Sequence, residues 1–175
     1  MNLRLMEKED VPLRVEWWNS SEFQGEYSRA LQKSMTRALQ EFENPSPVQV
    51  ARENVEFMIE KKDGTRIGHI GYGRFGHNLI EIGYAVVPSE RRKGYATEAI
   101  QILVDYLFLS KDIPRITIDA DARNTASIKA AEKVGFKKEG FIRKGGFTNG
   151  KFVDVCLLGI LREEWKEPKI LTKTA

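Results

Sequence analysis

The feature that most constrains this chain is a strand-like run that breaks into a basic, glycine-containing turn and then into a helical pattern. Apolar and small residues alternate from Leu79 to Val87, and Pro88 ends the run. Ser89-Glu90-Arg91-Arg92-Lys93-Gly94 follows. Ala96, Ile100, Leu103 and Leu107 then recur on one helical face. A strand entering a helix through so short a turn requires that helix to lie back on the sheet, which selects an α/β layer architecture. The turn also has a chemistry of its own. A helix N-terminus offers unpaired N–H groups and the positive end of the dipole, and a glycine lets backbone approach a phosphate closely. The Gly-x-x-x-x-Gly-Lys-Ser/Thr spacing and the three-glycine dinucleotide fingerprint are both absent. A diphosphate cradle and a plain basic surface turn therefore both fit the charges.

The flanking sequence fills in the layers. Residues 3–6 read as a first strand, Val11, Val15 and Trp18 as one helical face, and Leu31, Met35, Ala38 and Phe42 as another. Asn44-Pro45-Ser46-Pro47 stops the second helix. Val55, Phe57 and Ile59 alternate into the turn Lys62-Asp63-Gly64, and Arg66 to Phe75 forms the next strand. After Ile113-Pro114 come a short strand at Ile116-Thr117-Ile118 and a helix over 125–134, with Gly135 at its C-terminal cap position. Residues 136–143 and 151–161 read as two final strands around Gly145-Gly146 and Asn149-Gly150. The order gives a mixed α/β sheet with crossover helices.

A length of 175 residues fits one domain. A net charge of +3 is too small to argue for nucleic acid. Its distribution is uneven, with 11 basic and 13 acidic residues over 1–88 and 17 against 12 over 89–175, so an anionic ligand is expected in the second half. Cys156 is the single cysteine, and His69 and His77 have no cysteine partners, so neither a disulfide nor a zinc site is expected. No signal-peptide core or membrane-length apolar run is visible, and a cytoplasmic location is the expectation.

Three blocks in order carry a resemblance. Arg91-Arg92-Lys93-Gly94-Tyr95-Ala96 resembles the Arg/Gln-x-x-Gly-x-Gly/Ala acetyl-CoA signature of the GNAT N-acetyltransferases. The block from Asn124 through Ser127 to Gly135-Phe136 resembles that superfamily's Asn-x-x-Ser…Gly-Phe block. Asn149-Gly150 through Asp154-Val155 is similar to the C-terminal strand of the branch that acetylates ribosomal-protein N-termini, to which spermidine and aminoglycoside acetyltransferases are related. The resemblance implies an α/β fold with a mixed, mostly antiparallel central sheet and helices on both faces. It implies an N-acetyltransferase domain over 1–166, leaving 167–175 as a polar tail expected to fray.

It also implies roles. Backbone N–H groups of Arg91, Arg92, Lys93, Gly94, Tyr95, Ala96 and Thr97 would hold the pyrophosphate of acetyl-CoA, with side-chain charge from Arg91 to Lys93. Val86 and Val87 would pair with the pantetheine arm, and an N–H of that region would polarise the thioester carbonyl. Asn124 would contact the arm or cap its helix. Many family members use a tyrosine acid four residues before the glycine of Gly-Phe. Ala131 stands there, so Ser127 becomes the acid expected to protonate the departing thiolate. Glu81, on the strand entering the turn, is the expected base. Regular alternation puts it on one face with Gly83 and Ala85, opposite Ile80, Ile82, Tyr84 and Val86. Cys156, in an apolar run, reads as a core residue, so direct transfer without metal or acyl-enzyme is expected.

The acceptor is expected to be an amine: a peptide N-terminus, a polyamine or an aminoglycoside. One of Trp17 and Trp18, which diverge by about 100° on a helix, would line its cleft with Phe23, Tyr27 and residues 145–154. Glu26, Glu41 and Asp154 are candidate contacts for a cation. A homodimer is a further implication of the family. The alternative reading is an acetyl-CoA-binding module without turnover, motivated by the missing tyrosine; a nucleic-acid surface finds no supporting motif.

Overall fold

The structure is a computed structural model that describes residues 1–28, 32–75 and 79–170. Leu31, His77 and the end of the tail lie outside the described residues. The strands are β1 (Asn2–Leu5), β2 (Val55–Glu60), β3 (Arg66–Phe75), β4 (Leu79–Val86), β5 (Arg115–Asp121), β6 (Lys137–Thr148) and β7 (Lys151–Leu161). The helices are α1 (Val11–Asn19), α2 (Ser21–Gln24), α3 (Met35–Glu43), α4 (Pro47–Ala51), α5 (Tyr95–Ser110) and α6 (Thr125–Val134). The strands form one sheet in the order β1-β2-β3-β4-β5-β7-β6. Every neighbouring pair is antiparallel except β4 and β5.

That exception positions the site. β4 pairs with β5 only over Leu79–Glu81 against Arg115–Thr117. Beyond Glu81 the edge of β4 that faces β5 has no strand partner, while β5 continues against β7 as far as Asp121. The sheet therefore opens between β4, its central strand, and β5.

Alternating side chains build a core on each face. On one, Ile80, Ile82 and Val86 of β4 pack with Ile100, Leu103 and Leu107 of α5 and with Ile128, Ala131 and Val134 of α6. On the other, Met58 packs with Trp17 and Phe23, and Val11 and Val15 of α1 pack with Ala38 of α3. Each fully buried Ile or Leu contributes about 1.5–3 kcal/mol, which fixes the strand parity: a one-residue slip would turn every one of them outward.

Three sequence expectations change. Two short helices are added, because Ser20 caps α2 and the Ser46/Gln49 capping box with Pro47 at the first turn starts α4. The Gly145-Gly146 pair is not a turn. β6 runs on to Thr148 through a bulge between Ile142 and Gly146, and the hairpin turns only at Asn149-Gly150, where both φ values are positive. The carboxylate of Asp154 pins this bulge by accepting the Lys144 N–H at 2.8 Å. The tail is also held further than expected. Buried Asp105 accepts the amides of Lys169 and Ile170 and the Trp165 indole N–H, so the segment is docked on α5 through Ile170.

Asp10 ties β1 to the α1 entrance. It is 1% exposed, accepts both terminal nitrogens of Arg4 and the Glu7 amide, and pairs with Arg66 at 3.1 Å. Burial alone would raise its pKa, but the Arg4 hydrogen bonds and the Glu7 amide outweigh burial and hold it below the usual carboxylate range. The folded pKa is thus below the unfolded one, so the contribution is present above about pH 3.9 and lost as the pH falls through the folded value. Asp10→Asn is expected to destabilise by about 3 kcal/mol at neutral pH and to lower Tm by roughly 10 °C. The gap to the wild type should close on acidification, which calorimetry across pH measures.

Candidate active site

The turn after β4 is shaped by two left-handed residues, Arg92 at φ 62° and Gly94 at φ 90°. This alternation turns successive amides outward. Arg91 donates its amide to the Pro88 carbonyl and Glu98 donates to Gly94. The six amides between them, from Arg92 to Thr97, donate to no acceptor among the described residues. They sit at the positive end of the 16-residue helix α5, and a Cβ added at Gly94 would meet nothing within 4 Å. A row of unused donors at a helix N-terminus, open in front, is a site for an anion with several oxygens.

The basic side chains divide their work differently from the expectation. Arg91, though exposed, folds back on the protein, its Nε donating to the Val86 carbonyl at 2.9 Å and a terminal nitrogen to the Phe23 carbonyl at 2.5 Å. It braces the turn against α2. Lys93 pairs with Glu90 at 3.0 Å, and Glu90 also holds Lys61. Arg92 is exposed and has no ion-pair partner among the described residues, so it is the side chain left to add charge at the rim. Tyr95 and Ala96 turn their side chains into the core and offer only backbone.

The edge of β4 beside the opening follows from one hydrogen bond. Val87 donates to the Ile67 carbonyl of β3 at 2.8 Å and accepts the Glu90 amide at 3.0 Å, so neither of its backbone groups is left to offer a ligand. Because antiparallel partners alternate, Glu81, Gly83 and Ala85 also direct their backbone toward β3. Ile82, Tyr84 and Val86 direct theirs into the opening. The backbone groups offered there include the N–H of Val86 and both groups of Tyr84, while the Val86 carbonyl is taken by Arg91.

Two hydroxyls meet across the same opening. Asn124 caps α6 by accepting the Ser127 amide at 3.1 Å. The Tyr84 phenol, from the other arm, lies 2.7 Å from Ser127 Oγ and 3.1 Å from the Ser127 carbonyl. Burial raises the Tyr84 pKa, and the Ser127 hydrogen bond partly offsets this, so the phenol stays protonated. Ala131 is fully buried in the core. Sequence parity placed Tyr84 among the core residues; the signal for its second role is that it is the only hydroxyl on that face of β4.

On the opposite face lies a cleft of about 820 Å³ whose lining includes Glu81, Gly83, Tyr84, Glu56, Arg14 and Trp18. Glu81 does share its face with the exposed Gly83, beside which a Cβ would meet nothing within 4 Å. Half-burial, with the Asp119 carboxylate adding to it and Arg52 opposing, raises the Glu81 pKa. Glu56 is held the other way. Burial opposes ionisation, but Arg14 at 3.2 Å keeps the Glu56 pKa low. The buried His69 ring beside them is pushed down to about 3 by desolvation, reinforced by Arg14, and is neutral. The sequence marks neither Glu56 nor Arg14, and His69 enters it only as an improbable zinc ligand; a charged residue alternating with Val55 and Phe57 reads as an ordinary solvated face.

Trp18 is the tryptophan at the cleft, with the Arg14 guanidinium 4.1 Å and Lys33 Nζ 4.2 Å from its ring centre. Trp17 stacks on Phe23 at 5.0 Å in the core, so Phe23 is not a cleft residue. Glu41 lines the cleft, whereas Tyr27, Glu26 and Asp154 do not. Cys156 is fully buried, and burial raises its thiol pKa. Among the described residues no cluster of metal-ligating side chains occurs and no helix is long and apolar enough to cross a membrane.

Comparison with known proteins bears on the family and the fold. Residues 1–137 match the family model described as an acetyltransferase (GNAT) domain. The uncharacterised N-acetyltransferase p20 of Bacillus licheniformis is 28% identical over 172 residues, covering 94% of each chain. A protein provisionally named ribosomal N-acetyltransferase YdaF, from Bacillus subtilis, is 33% identical over 113 residues, 61% of this chain and 60% of its own. The spermidine N-acetyltransferase of Vibrio cholerae, solved with CoA and spermine, superposes with a TM-score of 0.81 at 22% identity over 94% of this chain and 96% of that one. At that identity the likeness carries the fold.

Proposed function

The chain belongs to the GNAT acetyltransferase family, and from that premise we propose that it moves an acetyl group from acetyl-CoA directly to a primary amine, favouring a peptide or protein N-terminus. Its chemistry is that of an acetyl-CoA-dependent N-acyltransferase. The observation that carries the assignment of the ligand site is the row of unused amides from Arg92 to Thr97 at the mouth of the opened sheet. In this reading those amides bind the pyrophosphate, and Tyr84 pairs through its backbone with the pantetheine arm. The Val86 N–H is the donor for the thioester carbonyl oxygen, where charge develops during attack.

Acetyl-CoA supplies an activated acyl group; the protein's residues manage two protons. Glu81 takes the proton of the incoming ammonium, a role that suits a carboxylate with a raised pKa. The freed amine forms the C–N bond as the C–S bond breaks. Ser127 gives its hydroxyl proton to the departing thiolate and is restored by the second proton, which the newly acylated nitrogen sheds, while Glu81 releases the first to solvent. Either hydroxyl of the 2.7 Å Tyr84–Ser127 pair can donate; in this reading the phenol donates to Ser127 Oγ and so orients the serine proton toward the opening. Tyr84 is thus a positioning residue that substitutes for nothing chemically but directs Ser127.

Ser127→Ala is expected to lower kcat by about 100-fold, in the range of lost acid–base assistance. Tyr84→Phe is expected to lower kcat by about tenfold with KM for acetyl-CoA nearly unchanged. The double variant should be no slower than Ser127→Ala, because the two act as a unit. Additive losses in steady-state assays of thiol release would separate Tyr84 from Ser127 and remove its positioning role.

A further inference from the structure

The charges of the acceptor cleft carry a conclusion about which amines it takes. Its lining holds four acidic and four basic side chains. Three of the acids are already paired. Glu41 is held by Lys33 and, at 2.8 Å, by Arg37. Glu53 pairs with Arg74 at 2.9 Å and Lys111 at 3.2 Å. Glu56 pairs with the buried Arg14. Glu81 alone among the four has no cation within salt-bridge distance among the described residues, and so does Arg52 among the four bases have no carboxylate within that distance.

Arg52 and Glu81 are neighbours by construction. Arg52 caps the end of α4, and its backbone carbonyl accepts the Arg74 amide and lies 3.7 Å from where a Cβ of Gly73 would be; its guanidinium lines the same cleft as the Glu81 carboxylate and acts on it electrostatically. Gly73 is the register partner of Glu81. The cleft therefore presents one unpaired carboxylate with one unpaired guanidinium beside it.

We infer that the acceptor carries a single ammonium, taken by Glu81, on a body that is neutral or acidic next to it, taken by Arg52. An N-terminal amine followed by an acidic residue has this pattern. A polyamine does not: beyond its first ammonium, each further one would meet carboxylates already neutralised, and Arg52 would repel it. This selectivity rests on the acetyl-transfer reading above and narrows its acceptor.

The experiment compares three acceptors with saturating acetyl-CoA: a tetrapeptide with a free N-terminus and glutamate second, the same peptide with lysine second, and spermidine. The glutamate peptide is expected to exceed the lysine peptide in kcat/KM by about tenfold and spermidine by at least as much. Arg52→Glu, at an exposed helix end, should reverse the order of the two peptides and raise spermidine turnover while leaving the Kd for acetyl-CoA unchanged. Spermidine equal to or better than the glutamate peptide overturns the inference while upholding acetyl transfer. An unchanged order in Arg52→Glu overturns the part assigned to Arg52. Bound acetyl-CoA with no acetylated product from any amine overturns the transfer reading, and the acceptor inference with it.

Discussion

Gly94→Glu is expected to abolish measurable acetyl-CoA binding, weakening Kd by at least about 100-fold in calorimetry. The reasons are local. Gly94 sits at φ 90°, and a side chain there projects into open space in front of the amides from Arg92 to Thr97. A carboxylate at that point satisfies the donors itself and repels the pyrophosphate. Hydrogen bonds to a charged group are worth about 1.5–3 kcal/mol each, and losing one or two reaches the expected factor. The backbone strain of a non-glycine residue at positive φ adds about 1–2 kcal/mol of destabilisation and would confuse the reading if tested alone. Gly94→Ala carries the same strain without the charge. It is expected to lower Tm by a similar amount while keeping Kd within a few-fold of the wild type. Equal loss of binding in both variants would assign the effect to backbone geometry and not to the anion site.

Glu81→Gln is expected to lower kcat by about 100- to 1000-fold at neutral pH, with the Kd for acetyl-CoA unchanged, since the residue lines the cleft and not the turn. The sign of its pH dependence follows from the burial of the carboxyl and the neighbouring Asp119, both of which raise its pKa. A base works only when deprotonated. Wild-type kcat should therefore rise through an acid limb whose midpoint is above the ordinary carboxylate range, and Glu81→Gln should lose that limb. Glu56 gives the internal contrast. Arg14 keeps it ionised and occupied, so Glu56→Gln should leave the acid limb in place. A limb that survives in Glu81→Gln would move the base elsewhere in the cleft.

These residues show what the sequence made legible and where it stopped. The run from Leu79 to Thr97 specified its own structure, because alternation, Pro88 and Gly94 are local signals, and the strand, turn and helix lie where they were expected. The face of Glu81 was legible for the same reason. Val87 was not: its amide and carbonyl are consumed by Ile67 and Glu90, and that depends on which neighbour β4 faces at each residue. Arg91 looked like a ligand-binding charge and is a brace, because its partners Val86 and Phe23 are carbonyls that no sequence pattern marks. Tyr84 belongs to the face buried under α5 and α6, yet the opening of the sheet at Glu81 leaves its hydroxyl beside Ser127. The bulge at Gly145 looked like a turn, since a glycine pair serves both and the pinning carboxylate of Asp154 lies across the hairpin.

The most direct measurement is mass spectrometry of a free N-terminal peptide incubated with the protein and acetyl-CoA, with thiol release followed in parallel. Direct acetyl transfer predicts one acetyl group on the α-amine, thiol released in equal amount, and both lost in Gly94→Glu. Tight binding of acetyl-CoA with no acetylated amine, and no acceleration of thiol release by any amine offered, would contradict it.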